Sequence, residues 1–386
     1  MKIRVLASLV GVLLANLCYA QQASKVVTPE VVVTATRLPQ QQSQSIQSVT
    51  VITAEEIAQS GQQTLVEVLQ SLGGVEIASN GGFGQVSSVF IRGANSNHTL
   101  VLVDGIRLNS ATAGTTAFEN IPVNQIERIE IVAGPLSGLY GSDAIGGVIQ
   151  IFTKSGKYSP GKNLTIGAGR YNTRTMSGGI NSAVKDTEFS LNFGSFETGG
   201  FDATTAAIPF GLHNPDQDGY RNTNISGKVA HHFGENNEAG ITLFQSEGNT
   251  RFDNGPATDD VNHQTLSAYS LYSRNQITKD WHSLIRIGQG EDKSAVTGAF
   301  SGSFRTRQPQ LTWQNDVKLG PGTAIAGVEY LAQHVTSDTA YTQTYRTIKS
   351  LFGGYSGQYG DHGWQANARQ DSNRSEERRV GKECRL

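Results

Sequence analysis

Cysteine is nearly absent from this chain: its 386 residues hold two, Cys18 and Cys384. Neither a disulfide framework nor a cysteine-ligated metal centre can be built from them. Charge is sparse too, at 17% of residues against a globular norm of about 25%. The 31 basic and 33 acidic residues leave a net charge of -2, so a nucleic-acid partner has no electrostatic footing. Past residue 20 no apolar run approaches the roughly 20 residues that a membrane-crossing helix needs. If this chain crosses a membrane, it does so with strands.

What is present is glycine, 44 residues of it, and polarity carried by Ser, Thr, Asn and Gln, a composition that suits a turn-rich β protein. The start of the chain sets the compartment. Lys2 and Arg4 precede the apolar run "VLASLVGVLLANL", and "CYA" follows, with small Ala20 at the end. This reads as a secretory signal over residues 1–20, with the mature protein beginning near Gln21, beyond the inner membrane. A lipoprotein anchor at Cys18 is disfavoured by bulky Leu17.

Two grammars follow. Residues 38–154 mix α and β. "SVTVIT" reads as a strand; Thr53 with Glu56, and Thr64 with Glu67, form capping boxes that open short helices. Leu65, Val68, Leu69 and Leu72 fall at helical spacing, and Gly73 ends that helix. In "TLVLVDGIRLN" the pair Asp104-Gly105 supplies the positive φ angles of a two-residue hairpin turn. "IERIEIVAGP" and "GGVIQIFTK" are further strands.

From residue 155 to 373 the period becomes 2. Phe189, Leu191 and Phe193 oppose Ser190, Asn192 and Gly194; Leu311, Trp313, Val317 and Leu319 oppose Thr312, Gln314, Asp316 and Lys318. Short turns ("GENNEA", "TKD", "GPG") alternate with longer polar loops such as "DATTAAIPFGLHNPDQDGYRN". Strands of about 10 residues, apolar on one side and polar on the other, are what an outer-membrane barrel requires. A soluble sandwich would alternate as well, but the signal, the turn/loop asymmetry and the Tyr and Trp near strand ends favour the barrel. The segments imply about eleven strands. An odd, open sheet leaves edge N–H and C=O groups without partners in lipid, so the barrel is expected to be incomplete here. The run "RSEERRVGKECRL", 374–386, breaks into dense charge without alternation. It resembles a translated sequencing-adapter read-through and is expected to be non-native; a solvated charged tail is the other reading.

The run "NGGFGQVSSVFIRGANSNHTLVLVDGIRLN", then "IERIEIVAGPLSGLYGSDAIGGVIQIFTK", with "VVVTATR" ahead of both, resembles the plug of the TonB-dependent outer-membrane receptors, and within them the cobalamin receptors. The resemblance implies an α+β plug domain inside a transmembrane antiparallel β-barrel of about 22 strands, of which roughly the first half is present. It implies a TonB box within 29–36: Glu30, Val31, Val32, Val33, Thr34, Ala35 and Thr36. Such a β-prone segment with polar flanks has no local partner because its partner, TonB, takes it as an added edge strand. It implies TonB-dependent import of a corrinoid by a monomer lying in outer-membrane lipid, with no enzyme activity. An iron-siderophore or haem receptor is the nearer alternative, and a passive porin the more distant one.

The same resemblance places ligand contacts at Val86, Ser88, Asn95, Ala113, Gly114 and Asn254. It places calcium at Asp202, Asn214, Asp216, Asp218, Asp253 and Asp260 (or Asp259). The run "HNPDQDGY" opens like an EF-hand loop, but Ile225 stands where the bidentate Glu belongs, so an EF-hand is rejected. His231 and His232 are neighbours on a strand, face opposite sides and cannot chelate one metal together.

Overall fold

The structure, a computed structural model, describes residues 32–33, 37, 40–42, 45–256, 258–360 and 362–375. The expected signal sequence, the box residues Glu30, Val31, Thr34, Ala35 and Thr36, and the tail from 376 onward lie outside the described residues. The described residues from Val33 onward form one compact unit. Two short strands, β1 (Val32–Val33) and β2 (Gln40–Gln41), pair with each other as a two-stranded sheet, so the segment expected to lack a local partner has one: two extended stretches a few residues apart satisfy each other's backbone groups.

A five-stranded sheet organises the globular part. Its strands are β3 (Ser48–Thr53), β6 (Thr99–Val103), β7 (Ile106–Arg107), β8 (Ile126–Ala133) and β9 (Gly147–Thr153), in the order β3-β8-β9-β6-β7. Only β6 and β9 run parallel. A separate hairpin joins β4 (Glu76–Ser79) to β5 (Ser87–Phe90). Both capping boxes are formed: the Thr53 and Thr64 hydroxyls accept from the backbone N–H of Glu56 and Glu67, opening the helices Ala54–Ser60 and Leu65–Leu72. Leu65, Val68 and Leu69 are buried as their spacing predicts, while Leu72, on the last turn, stays exposed. Asp104 and Gly105 adopt φ of 48° and 82°, which closes the β6–β7 turn as predicted. The core is built from Ile52, Leu69, Val101, Val103, Ile129 and Ile149, and it extends onto the wall through Phe244 and Leu266.

The second half is one antiparallel sheet of eleven strands in sequence order, each paired only with its chain neighbours. These are β10 (Gly161–Gly169), β11 (Thr173–Val184), β12 (Thr187–Thr198), β13 (Tyr220–His232), β14 (Glu238–Phe252) and β15 (Asp260–Thr278), then β16 (Trp281–Thr297), β17 (Gly302–Leu319), β18 (Gly322–Ser337), β19 (Tyr345–Tyr359) and β20 (His362–Ser375). Its burial is inverted relative to a soluble protein. Leu191, Ile241, Leu271, Ile287 and Leu351 point outward and are each more than half exposed, while Ser226, Ser246, Thr306 and Gln308 are almost completely buried inside. In water this outer face would be a large apolar patch. In lipid it is the right face, and the polar inner wall is free to hold the plug.

Three features depart from expectation. Strands reach 19 residues in β15, well beyond the span of the bilayer. β11 and β20 carry little alternation in sequence. In β11 small residues are forced by neighbours: a Cβ on Gly178 would lie 2.8 Å from the Phe193 ring. Lastly, β20 continues to Ser375, pairing Arg374 with Thr347 and Ser375 with Arg346, two residues into the run expected to be non-native.

Hydrogen bonds seat the plug against the inner wall. Gln125 Nε2 donates to Asn224 Oδ1 at 2.6 Å, Ser246 Oγ to the Asn120 carbonyl at 2.6 Å, and Gln308 Nε2 to the Asn109 carbonyl at 2.7 Å. Buried polar groups at this boundary find one another, so the plug is fixed in register and stays separable from a polar wall.

Candidate functional site

Alternate connections of the sheet are short: 185–186, 233–237, 279–280, 320–321 and 360–361. The opposite end carries the loops 199–219 and 253–259. The plug turns around Gly84 and Ala113 meet that end. Thr250 Oγ1 donates to the Gly84 carbonyl at 3.0 Å, Gln85 Nε2 to the Arg251 carbonyl at 2.8 Å, and Ala111 N–H to Thr306 Oγ1 at 3.2 Å.

Between these plug turns and the wall lies a cavity of about 520 Å³. Val86, Ala113 and Glu119 line it from the plug, and Asp218, Asp253 and Asp292 from the barrel side. No Lys, Arg or His is among its described lining residues. Of the residues expected to touch ligand, Val86 and Ala113 line this cavity, and Val86 is more than half exposed. Ser88 lies on β5 opposite Ala78, Asn95 precedes the turn Ser96–His98, Gly114 takes φ of 74°, and Asn254 follows Asp253 in the loop. These four are not among the lining residues.

The rim is held by aromatic packing. Phe83 meets Phe196 at 5.0 Å between centroids, Phe196 meets Tyr220 at 6.0 Å, and the Tyr220 hydroxyl donates to Asn120 Oδ1 at 3.1 Å. Gly84 sits against this ring at φ of 75°, and a Cβ there would lie 2.1 Å from Tyr220 Cδ2. Gly84→Ala is therefore expected to cost about 1–3 kcal/mol, from overpacking and left-handed backbone together. The check is a lower midpoint in denaturant unfolding together with weaker ligand binding; an unchanged midpoint would sink the prediction.

Loop acids converge at the same end. Oxygens of Asp216, Asp218 and Asp253 lie within 4.8 Å of one another, and Asp202, His213 and Asp253 form a second such group. Asp253 is almost wholly buried, and Thr204 Oγ1 donates to its Oδ2. His213 Nδ1 stands 3.0 Å from that same hydroxyl. Burial, followed by the charges of Asp253, Asp216 and Asp202, pushes the Asp218 carboxyl up to about 6, against a bond from Ala203 N–H. Asp216 is raised by burial and by Asp253. Asn214 Nδ2 donates to the Thr258 carbonyl at 3.4 Å. Asp260 belongs to neither group: it is buried, and its Oδ1 accepts from Ala299 N–H at 2.7 Å. Asp259 pairs with Arg251 at 3.7 Å. His213 was missed by sequence reasoning although it adjoins Asn214. Glu119 and Asp292 were missed as well, and for Asp292 the inward side of an alternating strand was the available signal.

The end with the short turns is charged differently. Glu329 on β18 receives Arg37 Nη2 on Oε1 and Arg369 Nη1 on Oε2, each at 2.6 Å. The Arg37 guanidinium also lies over the Tyr140 and Phe352 rings, 4.2 and 4.3 Å from their centroids. Arg37 directly follows the expected TonB box, and the wall grips the chain at that residue.

Residues 40–148 match the family model described as the TonB-dependent Receptor Plug Domain. The chain is 29% identical over 358 residues to the vitamin B12 transporter BtuB of Photobacterium profundum, covering 89% of this chain and 57% of that protein. It is 31% identical over 359 residues to BtuB of Vibrio vulnificus, covering 90% and 57%. The chain thus spans less than two thirds of the curated relatives it matches. Among solved structures it superposes on a mutant of the ferric enterobactin receptor PfeA of Pseudomonas aeruginosa with a TM-score of 0.67, at 18% identity, covering 89% of this chain and 59% of that one. It also superposes on a double mutant of the Serratia marcescens hemophore receptor HasR, in complex with its hemophore HasA and heme, with a TM-score of 0.68 at 16% identity, covering 86% and 52%. At such identities these structures show the shared fold alone.

Proposed function

We propose that this chain, which belongs to the TonB-dependent receptors of the Gram-negative outer membrane, takes part in TonB-driven import of a corrinoid. The observation that carries the reading is the cavity between plug turns and wall, which offers amide, hydroxyl and carboxylate groups and no basic residue among those described. A ferric catecholate is anionic and would meet carboxylates there with no base among the described lining residues to offset them, whereas a corrinoid presents neutral amides. The similarity to vitamin B12 transporters over nine-tenths of the chain supports the same choice. A passive porin is disfavoured, because packed residues of the plug occupy the inner wall.

The coupling follows from compartment. Neither the periplasm nor the outer membrane supplies ATP, so work must arrive mechanically, by TonB adding a strand to the box and pulling. Strand addition uses main-chain hydrogen bonds and tolerates varied side chains.

Calcium fits the loop acids. Asp202, Asp216, Asp218 and Asp253, with Asn214 near them, would hold it; Asp260 would serve only after leaving its Ala299 bond. The donor set is rich in oxygen, and carboxylates this close raise one another's proton affinity until a cation offsets them. Bound there, the ion would order the loops 199–219 and 253–259 over the cavity, and Asn254 would be carried with Asp253.

Calorimetry tests both parts. Cyanocobalamin is expected to bind the calcium-loaded full-length receptor, and chelation to weaken binding by roughly 30-fold or more, the scale of a loop-ordering cost of about 2–5 kcal/mol. Equal affinity with and without calcium would remove the metal. Binding of a ferric catecholate in place of cyanocobalamin would remove the corrinoid.

A further inference from the structure

The described cavity has two acids that the loop cluster does not use. Glu119 enters from the plug turn Phe118–Asn120, and Asp292 from β16 on the facing wall. Asp292 is buried, and Gln264 Nε2 donates to its Oδ1. Glu119 Oε2 is enclosed and has no hydrogen-bond partner among the described residues. An enclosed, unpartnered carboxyl oxygen is costly unless the group is neutral or something else completes it. Burial pushes the Glu119 carboxyl up to about 8, against bonds from the Glu119 and Ser87 backbone N–H groups and with the charge of Asp292 adding, so near neutral pH the protonated form prevails and is a donor. One wall then offers an O–H donor and the other a carboxylate acceptor.

We propose that Glu119 and Asp292 form a two-point site for a primary carboxamide of the ligand, with Glu119 donating to its carbonyl and Asp292 accepting from its NH2. They are specificity-determining residues, and the inference rests on the corrinoid reading, since a corrinoid carries such amides around its ring. A ligand with a carboxylate at that position lacks the N–H and sets its charge against Asp292, with no described basic lining residue to offset it. Sites built to bond a polar group reject the analogue that lacks it far better than apolar pockets do.

The test compares equilibrium binding of cyanocobalamin with that of its monocarboxylic derivatives, in which one side-chain amide is hydrolysed, on the full-length receptor. The parent is expected to prefer the amide form over one of these derivatives by roughly 10- to 100-fold, the scale of one buried hydrogen bond left unmade. Asp292→Asn should bring that ratio towards unity, because an asparagine amide can donate to a carboxylate. Glu119→Met, of similar length but without a donor, should weaken cyanocobalamin about 5- to 10-fold, again one lost bond, and leave the derivative less affected. Should Asp292→Asn fail to insert, Glu119→Met still decides. A parent that binds no cyanocobalamin overturns the corrinoid reading and this site with it. A parent that binds but shows no preference against any derivative, or keeps its ratio in both variants, overturns the site alone.

Discussion

Val32→Pro is expected to abolish energised uptake while leaving ligand affinity unchanged. Val32 and Val33 are extended, and the reading as a TonB box requires their backbone to join a sheet of another protein. Proline removes one N–H and crowds the neighbouring pairing. An acceptor left unsatisfied costs about 1–3 kcal/mol, roughly 5- to 150-fold in affinity. If the segment is pulled on as a box, a contact weakened this far fails to transmit tension. Cyanocobalamin binding to whole cells and its accumulation inside them separate the two effects. Accumulation at the parent rate in the variant would remove the box assignment, and loss of binding would show damage to the plug itself.

The second large effect is expected at Glu329→Gln. This carboxylate stands between Arg37 and Arg369, and all three side chains are buried. Removing its charge leaves Arg37 without an anion, while Arg369 keeps Asp371 at 2.7 Å, so the cost is expected toward the lower end of the about 3–5 kcal/mol of a broken buried pair. The aromatic faces of Tyr140 and Phe352 under Arg37 recover only part of that, since cation–π contact is worth about 0.5–2 kcal/mol. The chain around Arg37 should therefore loosen from the wall at the end with the short turns. Two readouts follow: a lower unfolding midpoint, and greater entry of an antibiotic too large to pass a closed barrel. Glu329→Asp, which keeps the charge, should recover much of both. A Gln variant as tight and as stable as the parent would show that the wall does not hold the plug through this group.

Local features were legible because a few adjacent residues encode them. Thr53 with Glu56, and Thr64 with Glu67, close their capping boxes, and Asp104-Gly105 closes its turn, whatever packs around them. The inverted face of Phe189, Leu191 and Phe193 against Ser190 and Asn192 was likewise readable, since strand alternation is a property of the backbone. β11 was not singled out, because its outward Met176 and Ile180 are interrupted by glycines that neighbouring side chains demand. The extension of β15 to 19 residues was missed for another reason: beyond the bilayer the strand is polar on both sides, and pairing alone sustains it.

The order of plug and strands, with an apolar face turned outward, was determined by the sequence alone, through short-range patterns that each segment carries in itself. Where the chemistry gathers was decided only by the tertiary structure. Asp202, His213, Asp216, Asp218 and Asp253 come together because sheet register sets the two outer loops side by side, and the same register leaves Asp260 bonded to Ala299. Glu119 and Asp292 face one cavity because a plug turn is seated against a strand more than a hundred residues further along the chain. Nothing in its own neighbourhood marks Glu119, and strand alternation marks Asp292 only as inward-facing; the wrapping of the wall around the plug makes them partners.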